Sequence, residues 1–191
     1  NKIVLSRDKQ ELIEIFNSKV PENLKSKCKF ISKMNSKEQD FTKFDVKNYP
    51  NLENYKFGIV VSEWNIDITT NLLKGAEDKL IELGVNRKNI IISRVPGSFE
   101  LVYGSKELSK KNLDALIAIG CVIKGETDHY DFICRSVSNG LMQLNISGST
   151  PVIFCVLTDH KKSQSIARSG GEHGNKGAEA AIAAIKMASL K

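Results

Sequence analysis

The sequence predicts an α/β fold: a three-layer sandwich with a four-stranded parallel sheet and helices on both faces. Two features point there. Four short apolar runs, rich in β-branched residues, recur between Lys56 and Leu157, and a helix-like stretch follows each of them. Such runs lack polar alternation, which suits strands buried on both faces. Strands that alternate with helices return through right-handed crossovers, and this makes the sheet parallel.

Lys56–Val61 (KFGIVV) is the first predicted strand. Leu72, Leu73, Ala76, Leu80 and Leu83 then repeat at three and four residues as one face of a helix, which Gly84 ends. Asn89–Val95 (NIIISRV) is a second strand, stopped by Pro96-Gly97, and Ser98–Leu108 reads as a helix. Leu113–Ile123 is the third strand and the most apolar. His129–Ile146 predicts a helix with Ile133, Val137, Leu141 and Leu144 facing inward and Gly148 at its close. Pro151–Leu157 (PVIFCVL) is the fourth strand. Two helical pieces, Lys161–Ser169 and Lys176–Leu190, flank a glycine-rich break at Gly170–Gly177. The last is lined with alanine, from Ala178 to Ala188, and so suits close packing on the sheet or on a second subunit.

Residues 1–50 differ in character. They hold 11 Lys/Arg and 7 Asp/Glu, whereas residues 51–191 hold 17 against 15, so most of the formal charge of +6 sits in this segment. A nucleic-acid-binding core needs a basic stripe on the folded part, and the near balance excludes one. Asp8–Phe16 predicts a short amphipathic helix, after which the segment turns Lys/Ser/Asn-rich with single aromatics at Phe30, Phe41 and Phe44. It is expected to be a partly flexible extension ahead of a domain over 51–191; an arm packed on a neighbouring subunit is the other reading. No apolar run reaches the roughly 18–20 residues that cross a bilayer, so no membrane partner is expected. Cys28, Cys121, Cys134 and Cys155 show no metal-binding spacing, and two lie in strand runs where a thiol is a small hydrophobe. The expected compartment is the cytoplasm, or a plastid-like organelle where an upstream transit peptide has been removed.

In a parallel sheet the strand C-termini meet at one edge, where such folds bind ligands. Four clusters fall there: Ser62–Asn65, Pro96–Glu100, Lys124–His129 and Thr158–His160. Each has a bland reading beside the functional one. Trp64 is a rim or core aromatic, or a flat surface for a heteroaromatic ring. Ser98 and Glu100 are a helix cap and a first-turn acid, or a hydroxyl and a carboxylate for a polyol. Gly125-Glu126-Thr127 suits a phosphate held by backbone N–H groups; the Glu126 side chain would repel it. His129 is a structural histidine or a general acid/base at the ligand edge. His160 and His173 read as surface residues. Arg168 favours a helix dipole or grips a phosphate, and with Lys176 it need not reach the strand edge within one chain.

Taken together, these stretches resemble the 6,7-dimethyl-8-ribityllumazine synthase family. The resemblance runs through Trp64-Asn65, LLKGA at Leu72–Ala76, PGSFEL at Pro96–Leu101 and DALIAIGCVIKGETDHYD at Asp114–Asp131. It continues through PVIFCVLT at Pro151–Thr158 and R-x-G-G-x-x-G-N-K-G at Arg168–Gly177. It implies a flavodoxin-like sheet and condensation of 5-amino-6-ribitylamino-uracil with 3,4-dihydroxy-2-butanone 4-phosphate. The nucleophile is the substrate's own amine, so no metal or organic cofactor is implied.

By position, the resemblance makes His129 the proton-transfer residue and Trp64 the stacking aromatic, where many members have phenylalanine. It places Asn65, Ser98, Phe99 and Glu100, with the backbone of Cys121, Val122 and Ile123, around the pyrimidine and ribityl chain. It gives Glu126, Thr127 and Arg168 to the phosphate and adds Phe154 and Lys176 to the pyrimidine and ribityl set, with Phe154, Arg168 and Lys176 arriving from the adjacent subunit. Glu63 and Glu172 depart from the commoner pattern, since both sites are often basic. The family assembles as pentamers, sometimes twelve in a shell, and the uninserted Gly170–Gly177 break resembles shell-forming members. Riboflavin synthase is the implied protein partner. Two other readings are a non-catalytic flavin or lumazine binder on the same scaffold, and nucleic-acid binding through residues 1–50.

Overall fold

Each of the four apolar runs forms a strand, and all pair in parallel. The computed structural model describes residues 44–190; the helix expected over Asp8–Phe16, Phe30, Phe41 and Cys28 lie outside them. The strands are β1 (Phe57–Ser62), β2 (Ile90–Val95), β3 (Ala115–Ile123) and β4 (Val152–Asp159), in the order β2-β1-β3-β4. The helices are α1 (Ile66–Glu82), α2 (Leu101–Ser109), α3 (His129–Ser147), α4 (Lys162–Arg168) and α5 (Lys176–Ala188). A small antiparallel hairpin of β5 (Ser169–Gly171) and β6 (Gly174–Asn175) occupies the glycine-rich break.

Alternation along each central strand builds two cores. Phe57, Ile59 and Val61 of β1 and Ala115, Ile117 and Ile119 of β3 face α1 and α5. Val60, Leu116 and Ala118 face the other layer, where Leu101 and Leu108 of α2 and Val137 and Leu141 of α3 pack. Every residue of β1 is buried, which explains why its sequence shows no polar alternation. The alanines of α5 are spent on this packing: Ala181 and Ala184 are fully buried in the layer shared with α1. Phe44, Tyr49 and Leu52 pack against that same core, and the rings of Phe44 and Tyr49 stack at 4.6 Å.

Two boundaries differ from expectation for stated reasons. Gly84 does end α1, with φ of +104° and a paired closure in which Gly84 N–H donates to Ile81 and Val85 N–H to Leu80. The second helix, however, starts at Leu101 and not at Ser98. Ser98–Glu100 form a turn closed by Leu101 N–H on the Ser98 carbonyl (3.2 Å). The fourth strand runs on to Asp159, because its pairing with β3 extends to Ile123↔Asp159.

Candidate active site

The register of the sheet exposes a backbone edge. β1 pairs with β3 only as far as Val61↔Ile119, so the last four residues of β3 have no strand partner on that side among the described residues. Asn65, in the left-handed region at φ 57°, donates its side-chain N–H to the Cys121 carbonyl at 3.0 Å. That contact closes one position and leaves the half-buried Val122 and Ile123 facing the gap. The loop before α1 is tied down as well: Glu63 N–H donates to Val95 O (2.8 Å) and Trp64 N–H to Pro96 O (3.1 Å).

A cleft of about 670 Å³ opens over this edge. It brings together Trp64, Asn65, Ser98, Phe99, Glu100, Cys121, Val122, Ile123, Thr127 and His129. Trp64 is 72% exposed at its mouth, which removes the core-aromatic reading. Ser98 is buried, and its hydroxyl has no hydrogen-bond partner among the described residues. It caps nothing: the residue before α2 is Glu100, which makes no side-chain cap bond either. A buried hydroxyl left unpaired costs free energy that a bound polyol hydroxyl would recover. His129 opens α3, whose N-cap residue Asp128 makes no side-chain cap bond, and Thr127, His129 and Tyr130 at this helix start line the cleft; the free N–H groups of a first helical turn suit an anion. Gly125 and Thr127 line the cleft and Glu126 does not.

The remaining expected residues lie elsewhere. Phe154, Arg168 and Lys176 line a second cleft of about 510 Å³ beside the edge strand β4, and the two clefts share no residue. Lys176 Nζ meets both carboxylate oxygens of Glu179 at 2.8 Å, while Arg168 Nη1 donates to the Gln164 carbonyl at 3.0 Å. Sequence reasoning missed Tyr130 in the first cleft and Glu179 and Lys186 in the second, while Asp159, expected at the strand edge with Thr158 and His160, lines the second cleft. Glu179 was findable, standing three residues after Lys176 on a helix face. His160 is on the surface, and its ring meets the edge of Tyr130 at 6.0 Å.

The thiols play a packing role. Burial pushes the Cys155 thiol up to about 12 and raises those of Cys121 and Cys134, so none is a thiolate near neutral pH. Cys121 donates to Ser165 Oγ (3.5 Å), which donates to Asp159 (2.8 Å), tying the base of the first cleft to α4. No group of three or more His, Cys, Asp or Glu side chains among the described residues could hold a metal, and no described helix is long and apolar enough to cross a membrane.

Residues 54–191 match the family model for 6,7-dimethyl-8-ribityllumazine synthase. A protein of that name from Christiangramia forsetii is 53% identical over 160 residues, which cover 83% of this chain and 95% of the relative. The Flavobacterium johnsoniae protein of the same name is 54% identical over 159 residues (83% and 84%), and that of Porphyromonas gingivalis 50% over 149 (78% and 92%). These matches run the length of the sheet and through both clefts, so the chain belongs to the 6,7-dimethyl-8-ribityllumazine synthase family.

Proposed function

We propose that this chain condenses 5-amino-6-ribitylamino-uracil with 3,4-dihydroxy-2-butanone 4-phosphate, the penultimate step of riboflavin biosynthesis, at a site shared by two copies. The observation that carries the shared site is the division of the expected residues between two clefts with no residue in common. One copy supplies the stacking face of Trp64, the open edge at Val122 and Ile123, Ser98 for the ribityl chain, and His129. The next supplies Phe154, with Arg168 and Lys176 to oppose the phosphate charge. Exposed Phe132, Met142 and Ile146 along α3 and Phe154 on β4 support burial of these surfaces against other copies.

Catalysis on this reading needs positioning and proton transfer. The substrate amine attacks the ketone carbon and water departs to leave an imine. Phosphate then leaves, and the ribityl-bearing nitrogen closes the ring with loss of a second water. His129, at the lip of α3, is placed to move the protons of these steps. The names of the relatives favour this over a non-catalytic binder. A pentamer, or twelve of them in a shell, is the assembly proposed, in the cytoplasm or in a plastid-like organelle. A riboflavin synthase would take up the product.

The chain mixed with both substrates, without added metal, is expected to give a fluorescent lumazine. His129→Ala should slow turnover by about 10²–10⁴-fold, the range of general acid/base catalysis, with an unchanged melting curve. Absence of product from the unaltered chain would overturn the proposal.

A further inference from the structure

Lys176 stands between two residues that are locked to other elements. Asn175 lies just before α5, and its side-chain oxygen accepts from Gly177 N–H at 2.8 Å, capping the helix. Its amide nitrogen donates to the Asn71 carbonyl of α1 at 2.9 Å and to the Ser169 carbonyl at 3.4 Å. Both amide hydrogens and the oxygen are therefore used, and three elements converge on one side chain. The approach exists only because the facing positions lack a side chain. A Cβ at Gly75 would overlap the Asn175 amide, and one at Gly177 would overlap the Leu72 carbonyl. Cys155 Sγ against the Lys176 carbonyl (3.6 Å) adds a further tether.

We propose that Asn175 is a positioning residue, which fixes the first turn of α5 against α1 and so aims Lys176 at the phosphorylated substrate. The proposal rests on the reading above that Lys176 belongs to the phosphate side of the site. The bond to Ser169 places Arg168 one residue from the same brace. The Lys176 ammonium is held by the Glu179 carboxylate in the empty protein, and a first turn that is already ordered adds no backbone ordering cost when Lys176 meets an anion. The contribution should appear in binding of the phosphate and not of the pyrimidine.

Steady-state kinetics on Asn175→Asp, Lys176→Met and the double variant test this. Asn175→Asp keeps the acceptor for Gly177 N–H and loses both donors. It is expected to raise KM for the butanone phosphate about fivefold, the equivalent of one net hydrogen bond, and to leave KM for the uracil unchanged. Lys176→Met should raise the same KM, and the double variant should be no worse than Lys176→Met, since residues acting as one unit are not additive. An unaltered KM in Lys176→Met overturns the site reading. A full effect of Lys176→Met with an additive, absent or uracil-directed effect of Asn175→Asp overturns the proposal alone. Gly75→Ala repeats the measurement should Asn175→Asp fail to assemble: it displaces the Asn175 amide from α1, and wild-type KM values in that variant overturn the proposal.

Discussion

Ser98 shows how a single side chain separates ligand binding from folding. Its hydroxyl is buried at the cleft with no partner among the described residues, and such a group destabilises the empty protein. Ser98→Ala should therefore leave stability unchanged or slightly raised, while KM for the ribityl substrate rises about five- to tenfold. Thermal melts and steady-state kinetics on one preparation check both halves, and a destabilised variant with normal KM would contradict the reading. The sequence offered two roles for this serine and could not choose. The choice depends on where α2 begins, and Leu101 rather than Ser98 is decided by the turn that Pro96-Gly97 leads into.

Between elements, α1 and α4 are joined by Lys162 Nζ and Asp67 Oδ2 at 2.8 Å, with both side chains more than half exposed. The hydrogen bond from Lys162 holds the Asp67 carboxyl below its usual value of 3.8. A depressed carboxylate adds stability that is fully present above the unfolded value and is lost as pH falls through the folded one. An exposed pair contributes little, about 0.2–1 kcal/mol. Asp67→Asn should lower stability by that amount at pH 7, and the difference should shrink as pH falls below 3.8 and vanish once Asp67 is protonated in the folded protein; denaturant melts at pH 7 and down through the acid range measure it. A gap that persists in acid would contradict the assignment. At this scale the strands were legible because β1 and β3 are buried on both faces and read as unbroken apolar runs. The overhang of β3 past β1 was not, since register is set by pairing with a distant strand and leaves no local mark. The hairpin at Ser169–Asn175 was read only as a break, because its strands are two and three residues long and rich in glycine.

For the molecule as a whole, the residues that the sequence grouped into one expected site are divided by the fold between two clefts. Trp64, Ser98 and His129 converge because three strand ends of a parallel sheet do. Phe154, Arg168 and Lys176 gather beside the edge strand instead. The alignments of 160 and 159 residues are longer than the 54–191 stretch, so they reach upstream of residue 54, in keeping with the packing of Phe44 and Tyr49 on the domain core. The central claim is that neither group completes a site within its own chain. The direct measurement is activity after co-assembly of His129→Ala with Arg168→Ala. Each variant alone is expected to be nearly inactive, because every site in it carries the same lesion. In a random mixture about one site in four joins an intact first cleft to an intact second, so about a quarter of wild-type activity should return. Mixed assemblies, verified by mass, that stay as inactive as the separate variants would contradict a site built between copies.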